Sequence, residues 1–241
     1  MRKGFLLMFN FLFSLLSLFS CKPKGEINFT IVETTDIHGM IFPYNFITDR
    51  EENTSMAHIS SYIKKLKSEG KTVLLLDNGD TLQGQPTVYY YNFVATNKKH
   101  IWAEVLNYMN YDIVTMGNHD IEAGHTVYDK IVKEIKAPVI AANLINEKTK
   151  EPYFKPYSII KKSGIKIAVL GMIEPAIERQ LPKILYEGII AEDMIECAKK
   201  WIKIIKEKEK PDLIIGLFHS GANYTEDKEK SFAIRGEGFA A

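Results

Sequence analysis

The sequence contains 241 residues, of which 46% are hydrophobic and 25% are charged, and its formal net charge is +1. A chain of this length and balance forms one large α/β domain or two smaller ones and can bury a sizeable core. A net charge so close to zero gives no global electrostatic argument for binding a nucleic-acid polymer or an anionic membrane surface.

The chain begins with an apolar leader, predicted over residues 1–21. Two basic residues precede an apolar stretch from Phe5 to Phe19, and Cys21 follows closely. This layout is typical of a secretory signal, and the stretch is short for a membrane span of about 20 residues. The ending LFSC resembles a bacterial lipoprotein signal, which implies a lipid on Cys21; the alternative is a plain cleaved signal. Both alternatives predict an exported protein, periplasmic or at the cell surface, and the lipid would anchor it to a bacterial membrane through a tether at 22–27.

Apolar runs and helical patterns alternate along the rest of the chain, which we predict to be one domain over residues 28–241. The runs predicted as strands lie at 28–35, 72–80, 112–116, 138–143 and 212–220, and a hairpin is predicted at 157–173. The patterns predicted as helices lie at 56–70, 125–136 and 192–209. Strands that alternate with helices of this length predict an α/β fold with βαβ crossovers and a mostly parallel sheet covered on both faces.

Side chains that suit metal ions follow four of these strands. Three of the six histidines of the chain stand at such positions, together with carboxylates and an amide. In an open α/β sheet, ligands bind at the carboxyl ends of the strands, so four separate strands deliver a potential ligand to the same edge. The alternative for any single one of these residues is local turn polarity. In chain order the residues are Asp36 and His38, Asp80, Asn118 and His119, and His219.

The types of side chain indicate a site for two metal ions. Carboxylate, imidazole and amide ligands together suit zinc, manganese or iron rather than calcium. The Asp-x-His spacing predicts that Asp36 and His38 point to one face of an extended segment, and Asp80 is placed to bridge two cations. Paired cations clamp the attacking and leaving oxygens of a phosphoryl displacement and generate hydroxide at neutral pH. Asn118 is then a predicted ligand, and His119 is its non-ligand neighbour, available to protonate a leaving oxygen or to stabilise transition-state charge.

The segments DIHG, NGD, GNHD and FHSG, in this order and spacing, resemble the calcineurin-like metallophosphoesterase family over about residues 28–223. Within that family the chain is similar to bacterial secreted 5′-nucleotidases and 2′,3′-cyclic-nucleotide phosphodiesterases, above all in DNGDTLQGQPTVYYYN. The resemblance implies a β-sandwich flanked by helices. It also implies two divalent ions, such as Zn²⁺ or Mn²⁺, and a hydrolase that cleaves nucleotide phosphoesters by attack of a metal-activated hydroxide.

The resemblance assigns a role to each residue at the strand ends. It implies that Asp36 and His38 bind the first metal ion and that Asp80 bridges both ions. The second ion is then bound by Asn118 and by His219. His119 is implied to be the catalytic histidine.

Two departures from the family pattern bear on function. The family commonly pairs its catalytic histidine with an aspartate three residues later, whereas this chain has Glu122, which we assign as the orienting partner of His119. The family also has a Gly-His-x-His motif downstream, whereas no histidine follows His219 in these 241 residues. The resemblance also implies a second domain, which binds the nucleotide base in the nucleotidases and which we expect to be missing here. We therefore expect the chain to be the N-terminal part of a longer enzyme, without the C-terminal part of that enzyme. A catalytically inactive surface lipoprotein and a nucleotide-sugar hydrolase are the alternatives.

Other conspicuous residues have simpler predicted roles. The run Tyr89–Tyr91 is expected to be half core and half surface, and Cys197 is expected to be a buried apolar residue. Asp77 and Asn78 are expected to support the neighbouring ligand, because metal ligands usually need such partners. The remaining histidines are predicted to be structural or surface residues; they are His58, His100 and His125.

Overall fold

The structure is a computed structural model that describes residues 26–221. The predicted leader, Cys21 and the residues after 221 lie outside the described residues. Within this range, no helix has both the length and the apolar character that crossing a membrane requires. Each predicted strand and helix of this range is present, with ends that differ from the prediction by a few residues.

The described residues form short strands and mostly short helices. The strands are β1 (Thr30–Thr34), β2 (Tyr44–Asn45), β3 (Arg50–Glu51), β4 (Val73–Asp77), β5 (Ile113–Thr115), β6 (Val139–Ile140), β7 (Leu144–Asn146), β8 (Tyr157–Lys162), β9 (Ile165–Ile173), β10 (Ile189–Ala191) and β11 (Leu213–His219). The α-helices are α1 (Met56–Ser68), α2 (Pro86–Phe93), α3 (Ile101–Met109), α4 (Asn118–Glu122), α5 (His125–Glu134), α6 (Ile177–Gln180) and α7 (Met194–Lys208), and a 3₁₀ turn lies at Lys183–Leu185.

Seven of the strands form the two larger sheets. One sheet is parallel throughout, in the order β1-β4-β5-β6, as βαβ crossovers predict. The other has the order β11-β9-β8, in which β9 pairs parallel with β11 and antiparallel with β8. The predicted hairpin makes β8 antiparallel, since Ser163 and Gly164 both take the positive φ angles that a tight hairpin turn requires. The expectation of one mostly parallel sheet is therefore wrong, because β8, β9 and β11 form a separate mixed sheet.

The two sheets pack face to face around an apolar layer. Leu74 and Leu76 of β4 are buried in this layer with Ile167 and Val169 of β9. Because successive side chains of a strand point to opposite faces, Leu75 lies instead in the core between the first sheet and its helices. One strand thus contributes to two cores, which explains why its sequence reads as a continuous apolar run.

Helices cover the outer faces of both sheets. The first sheet packs against buried residues of α1, α3 and α5, such as Ile63, Trp102 and Tyr128. The second sheet packs against α7 through Met194 and Cys197, and Cys197 is buried as predicted. The β-sandwich flanked by helices that the family resemblance implied is confirmed.

Side-chain caps determine where several helices begin. Ser55 caps α1 by accepting a hydrogen bond from the backbone N–H of His58, and Asp193 caps α7 in the same way. His100 is a less usual cap: its ring Nδ1 accepts a hydrogen bond from the backbone N–H of Trp102 at 3.1 Å. The cap is buried, so the protonation state of His100 is coupled to the stability of α3.

The carboxyl ends of the two sheets meet at one end of the sandwich. In the first sheet, the last residue of β1, Thr34, stands beside the last residue of β4, Asp77. His219, the last residue of β11 in the second sheet, hydrogen-bonds to the backbone carbonyl of Asn78, which directly follows β4. The loops after β1, β4, β5 and β11 therefore converge, and the candidate site lies there.

Candidate metal centre and active site

Three predicted metal ligands come together in the loops that follow β1 and β4. Asp36, His38 and Asp80 each offer one ligand atom, and these atoms lie within 4.8 Å of one another. Asp80 is buried, His38 is half-buried and Asp36 is exposed. The cluster is therefore anchored in the protein at Asp80 and reaches solvent at Asp36.

Two further predicted ligands approach Asp80 from the other strand ends. The Nε2 atom of His219 lies 3.2 Å from Oδ2 of Asp80 and 3.1 Å from Oδ1 of Asn118. His219 ends β11, whereas Asn118 begins α4 shortly after β5. All five predicted metal ligands thus meet around one carboxylate, although they come from four loops.

The two histidine rings of this cluster are oriented by backbone carbonyls. His219 Nδ1 lies 2.7 Å from the carbonyl oxygen of Asn78, and His38 Nδ1 lies 3.2 Å from that of Gln83. A carbonyl only accepts hydrogen bonds, so Nδ1 carries a proton in both rings and Nε2 is the nitrogen that faces the other predicted ligands. Histidines that bind metals usually make this hydrogen bond with their other nitrogen.

The ligand loops have an uncommon backbone conformation. Asp36, His38 and Asp80 have φ angles of 54°, 48° and 58°, in the left-handed region that side chains disfavour. The backbone N–H of Asp36 donates to the carbonyl of Gly79 at 3.0 Å, and that of His38 donates to the carbonyl of Asp80 at 2.9 Å. These hydrogen bonds hold a conformation that costs on the order of 1–3 kcal/mol per residue.

The prediction that Asp36 and His38 point to one face of an extended segment is therefore wrong. β1 ends at Thr34, and the segment from Asp36 to His38 is a tight turn rather than an extended strand. The two side chains approach one metal position because the turn is tied to the loop after β4. The alternation rule does not apply to them, since neither residue is part of the sheet.

A glycine allows the loops to pack this closely. A Cβ atom on Gly117 would lie 2.1 Å from Oδ1 of Asp80 and 2.6 Å from its backbone nitrogen. No carbon atom fits at these distances, so any larger residue at this position would displace the Asp80 carboxylate. Gly117 is therefore part of the geometry of the site although it has no side chain.

Asp120 is a residue of this region to which sequence reasoning assigned no role. Its buried carboxylate accepts five hydrogen bonds of 2.8 to 3.0 Å. The donors are the backbone N–H groups of Asp80, Thr81, Leu82 and Gly117 and the hydroxyl group of Thr81. Asp120 thereby ties the loop after β4 to the start of α4. The signal that could have revealed it is an acidic residue in the first turn of a helix, where a carboxylate can satisfy backbone donors.

Asn78 contacts a predicted ligand directly, and Asp77 contacts residues next to the ligand loops. The carbonyl of Asn78 holds His219, and the buried carboxylate of Asp77 accepts hydrogen bonds from the hydroxyl of Thr34 at 2.7 Å and the N–H of Gly79 at 3.2 Å. Burial raises the pKa of Asp77 to about 8, although the hydrogen bond from Thr34 opposes this rise.

The charges of Asp80 and His219 stabilise each other. Burial by itself favours the neutral form of both groups, but the hydrogen bond and the attraction between them outweigh it. The pKa of Asp80 is therefore lowered, and the pKa of His219 is raised to about 9. The protein thus favours positive charge beside Asp80, which is the property that a cation site requires.

His119 and Glu122 form a pair at the edge of this cluster. Nδ1 of His119 lies 2.5 Å from Oε2 of Glu122, as expected for an orienting carboxylate one helical turn away. The ring of His119 stands edge-on to that of His38, with ring centroids 5.3 Å apart, and its backbone N–H donates to Asp80 at 2.8 Å. His119 is therefore next to the ligands, and its own Nδ1 is occupied by Glu122.

The tyrosine run differs from the expectation. Tyr89 and Tyr90 are exposed and Tyr91 is half-buried, so none of the three belongs to the core. The buried side of α2 is formed by Val88 and Asn92 instead. Helical spacing places these two residues on the inner face, and the tyrosines occupy the remaining positions.

The other histidines have the structural or surface positions that were predicted. His58 is exposed on α1, and His125 at the start of α5 hydrogen-bonds to Asp129 and to the carbonyl of Glu187. His100 is buried, and its Nε2 lies 2.9 Å from Oδ1 of Asn92.

The residues around Asp80 fit divalent metal ions by their chemistry. They provide two carboxylates, two imidazoles with an available Nε2 and one amide oxygen, a mixed set that suits zinc, manganese or iron. Their ligand atoms converge without intervening side chains, and hydrogen bonds orient both rings.

Comparison with known proteins agrees with these observations. Residues 29–237 match the description of the calcineurin-like phosphoesterases, a family of metal-binding domains. The chain belongs to this family, and the family prediction made from the four sequence motifs is confirmed. Its assignment to the phosphoric ester hydrolases is confirmed at the level of the family.

Characterised relatives include two kinds of nucleotide-cleaving enzyme. A 2′,3′-cyclic-nucleotide 2′-phosphodiesterase/3′-nucleotidase of Haemophilus influenzae is 29% identical over 225 residues, which are 87% of this chain and 34% of that protein. A 5′-nucleotidase of Vibrio cholerae is 33% identical over 197 residues, which are 80% of this chain and 34% of that protein. The chain thus spans about a third of the length of these relatives.

A solved structure of a relative has the same fold. The calcineurin-like phosphoesterase YfkN from Bacillus subtilis superimposes with a TM-score of 0.72 at 28% sequence identity. The match covers 81% of this chain and 63% of that one. The α/β class and the sandwich are therefore those of known calcineurin-like phosphoesterases.

Proposed function

We propose that this chain is the metal-binding domain of a hydrolase that cleaves nucleotide phosphoesters, as a 5′-nucleotidase, a 2′,3′-cyclic-nucleotide phosphodiesterase or both. The observation that carries the proposal is the convergence of four loops on Asp80, with His119 beside them. The names of the relatives support nucleotides as the substrate class.

Each residue of the cluster has a task in this proposal. Asp36 and His38 would hold one divalent ion, Asn118 and His219 would hold a second, and Asp80 would bridge them. When bound, the two ions neutralise charge on the phosphoryl group and lower the pKa of a bound water molecule. Asp120 and Gly117 maintain the geometry, because they fix the loop that carries Asp80.

His119 is assigned the proton transfer to the leaving oxygen. The Glu122 carboxylate accepts a hydrogen bond from Nδ1–H of His119, so Nε2 is the nitrogen available to the substrate. The position of His119 next to His38 supports this role, since the leaving oxygen must lie close to the ligands.

Export and lipid attachment at Cys21 are part of the proposal. The leader pattern at residues 1–21 supports them, and mass spectrometry of the mature N-terminus in a bacterial host tests them. A mature chain that begins with an acylated Cys21 supports the lipoprotein assignment. A chain that retains residues 1–21 in the cytoplasm contradicts it.

The direct test measures hydrolysis by the chelator-treated protein after addition of Mn²⁺ or Zn²⁺, as phosphate release from the monoester and as ring opening of the cyclic diester to a nucleoside monophosphate. Substrates are AMP and 2′,3′-cyclic AMP, and calorimetry of the same metal ions reports their binding independently of turnover. We expect metal-dependent hydrolysis that Asp80→Asn abolishes and that the exposed control Asp49→Asn retains. Hydrolysis that is equal in Asp80→Asn and in the unmodified chain contradicts the proposal, as does a folded chain that binds neither ion.

A further inference from the structure

Asn78 joins the ends of three strands beside the candidate metal centre. Its backbone N–H donates to the carbonyl of Thr34, the last residue of β1, at 2.7 Å. Its own carbonyl lies 2.7 Å from Nδ1 of His219, and its side-chain amide donates to the carbonyl of Phe218 at 3.2 Å. Because Asn78 directly follows β4, this one residue links the ends of β1, β4 and β11.

The contacts of Asn78 bear on the distance between two predicted metal ligands. β4 and β11 belong to different sheets, so no ladder between these two described strands fixes Asp80 relative to His219. The approach of Nε2 of His219 to Oδ2 of Asp80, at 3.2 Å, depends instead on contacts between loops and strand ends. Asn78 supplies two of these contacts, one to the ring of His219 and one to the peptide bond that precedes it.

The side-chain amide of Asn78 is buried, and only its nitrogen has a partner. Asn78 is 9% exposed, and a carbonyl only accepts hydrogen bonds, so the atom that faces Phe218 is the amide nitrogen. Its Oδ1 is buried and accepts no hydrogen bond within the described part of the chain. A buried acceptor without a partner is destabilising, and an apolar side chain of similar size would avoid this cost. The contact through Nδ2 is thus the one that accounts for an asparagine at this position.

We propose that the side-chain amide of Asn78 positions His219, because it holds the end of β11 where Nε2 of His219 faces Asp80. The purpose of this positioning rests on the proposed function, in which His219 holds the second metal ion. Asn78 then touches neither the ion nor the substrate and acts only through His219. A neutral donor suits this task, since a cationic side chain would compete with a metal ion for Asp80.

NMR of the metal-free protein tests the positioning itself. The full chain is isotope-labelled in its histidines, and the Nδ1–H signal of His219 is identified by its absence in His219→Gln. Exchange of this proton with water is expected to be about fivefold faster or more in Asn78→Ala, the effect of losing one ordinary hydrogen bond. An exchange rate equal to that of the unmodified chain overturns the proposal.

Asn107→Ala is the matched control. The amide of Asn107 also joins two elements, since Nδ2 donates to the carbonyl of Glu134 at 2.9 Å and Oδ1 accepts from the backbone N–H of Lys136 at 2.7 Å. These contacts lie between α3 and the end of α5 and involve no predicted ligand. Both variants are expected to lose stability in urea unfolding, but only Asn78→Ala is expected to accelerate exchange at His219. Equal acceleration in Asn107→Ala would reveal general loosening and would overturn the proposal.

Metal titration measures the consequence for the second predicted ion. Calorimetry with Mn²⁺ is expected to show an affinity that is lower by about fivefold or more in Asn78→Ala than in the unmodified chain. In the His219→Ala background the same change is expected to have no further effect, because Asn78 acts only through His219. In a chain that binds the ions, equal affinities or additive losses overturn the proposal.

These outcomes are separate from those that test the proposed function. Metal-dependent hydrolysis together with an unchanged His219 exchange rate supports the proposed function and overturns the positioning role. Faster His219 exchange in Asn78→Ala only, in a chain that binds no ion or hydrolyses neither ester, supports the positioning role and overturns the proposed function for this chain.

Discussion

The carboxylate of Asp120 accepts a hydrogen bond of 2.8 Å from the backbone N–H of Asp80, the residue on which the other predicted ligands converge. The same carboxylate accepts hydrogen bonds from the next two residues of that loop. The position of Asp80 is thus determined by a buried carboxyl group from a different strand end. This carboxyl group does not itself have to touch a metal ion.

Replacement of Asp120 by asparagine should destabilise the protein. An asparagine amide group would direct its own N–H bonds toward donors that now point at a carboxylate. Each buried donor that loses its partner costs about 1–3 kcal/mol. Urea unfolding measures this loss, and Asp49→Asn, on the surface, should change the free energy of unfolding by less than about 0.5 kcal/mol. Equal stability of the two variants would show that the five hydrogen bonds contribute little.

Replacement of Gly117 by alanine should disturb the candidate metal centre more than the rest of the fold. The added Cβ would occupy the position of the Asp80 carboxylate, and overpacking of this kind costs about 1–3 kcal/mol. Gly188→Ala is the control for metal binding, because its added Cβ would meet no other atom, although its φ angle of 80° adds backbone strain that Gly117 does not have. We expect a loss of Mn²⁺ affinity, measured by calorimetry, in Gly117→Ala only. Unchanged affinity in both variants would contradict the clash.

The proposed proton donor and its partner should differ in the size of their effects. His119→Ala removes a general acid and should lower kcat by about 10²- to 10⁴-fold. Glu122→Gln leaves the imidazole in place but removes the carboxylate that orients it, so kcat should fall less. Glu122→Asp, which restores the acid of the wider family, should recover part of that loss. If Glu122→Gln has the same kcat and the same pH profile as the unmodified enzyme, Glu122 is only a surface carboxylate.

His100 should make the protein less stable in mild acid. Burial, assisted by the charge of Lys130, lowers the pKa of His100 to about 4 from its usual 6.5, so the unfolded chain takes up a proton first as the pH falls. The contribution of His100 is therefore constant above about pH 6.5, and the free energy of unfolding decreases between about pH 6.5 and 4 by up to roughly 3 kcal/mol.

Urea unfolding at pH 7 and pH 5 tests this pH dependence. His100→Asn removes the titrating ring but keeps a side-chain acceptor for the backbone N–H of Trp102, so its stability should fall less between the two pH values. His58→Asn, at an exposed position, should retain the dependence of the unmodified chain. A steeper loss in His100→Asn would reverse the assignment.

Local sequence patterns were sufficient for most of the fold. The apolar run of β4 and the Ser163-Gly164 turn are local signals, and both predicted their elements correctly. The division into two sheets was not predictable from periodicity, because pairing of β9 with β11 depends on residues about 45 positions apart. The sandwich was anticipated only through the family resemblance.

The parts of the candidate site that depend on the type of side chain were predictable from the sequence. The parts that depend on backbone contacts were less predictable. Histidines and carboxylates at strand ends identified the cluster around Asp80. The left-handed turn at Asp36 and the role of Asp120 depend on hydrogen bonds between loops that are distant in sequence. The exposure of Tyr89 depends on which face of α2 meets the core, which a run of three tyrosines does not specify.

The hydrogen bond between His219 and the carbonyl of Asn78 joins residues that are 141 positions apart. During synthesis, the ribosome must therefore produce nearly all of the described chain before the second predicted metal position can exist. A divalent ion that arrives earlier meets an arrangement that lacks His219. An ion that binds only the complete set of ligands adds its binding free energy to the free energy of folding. The concentration of metal ions would therefore determine how stably β11 stays in the second sheet.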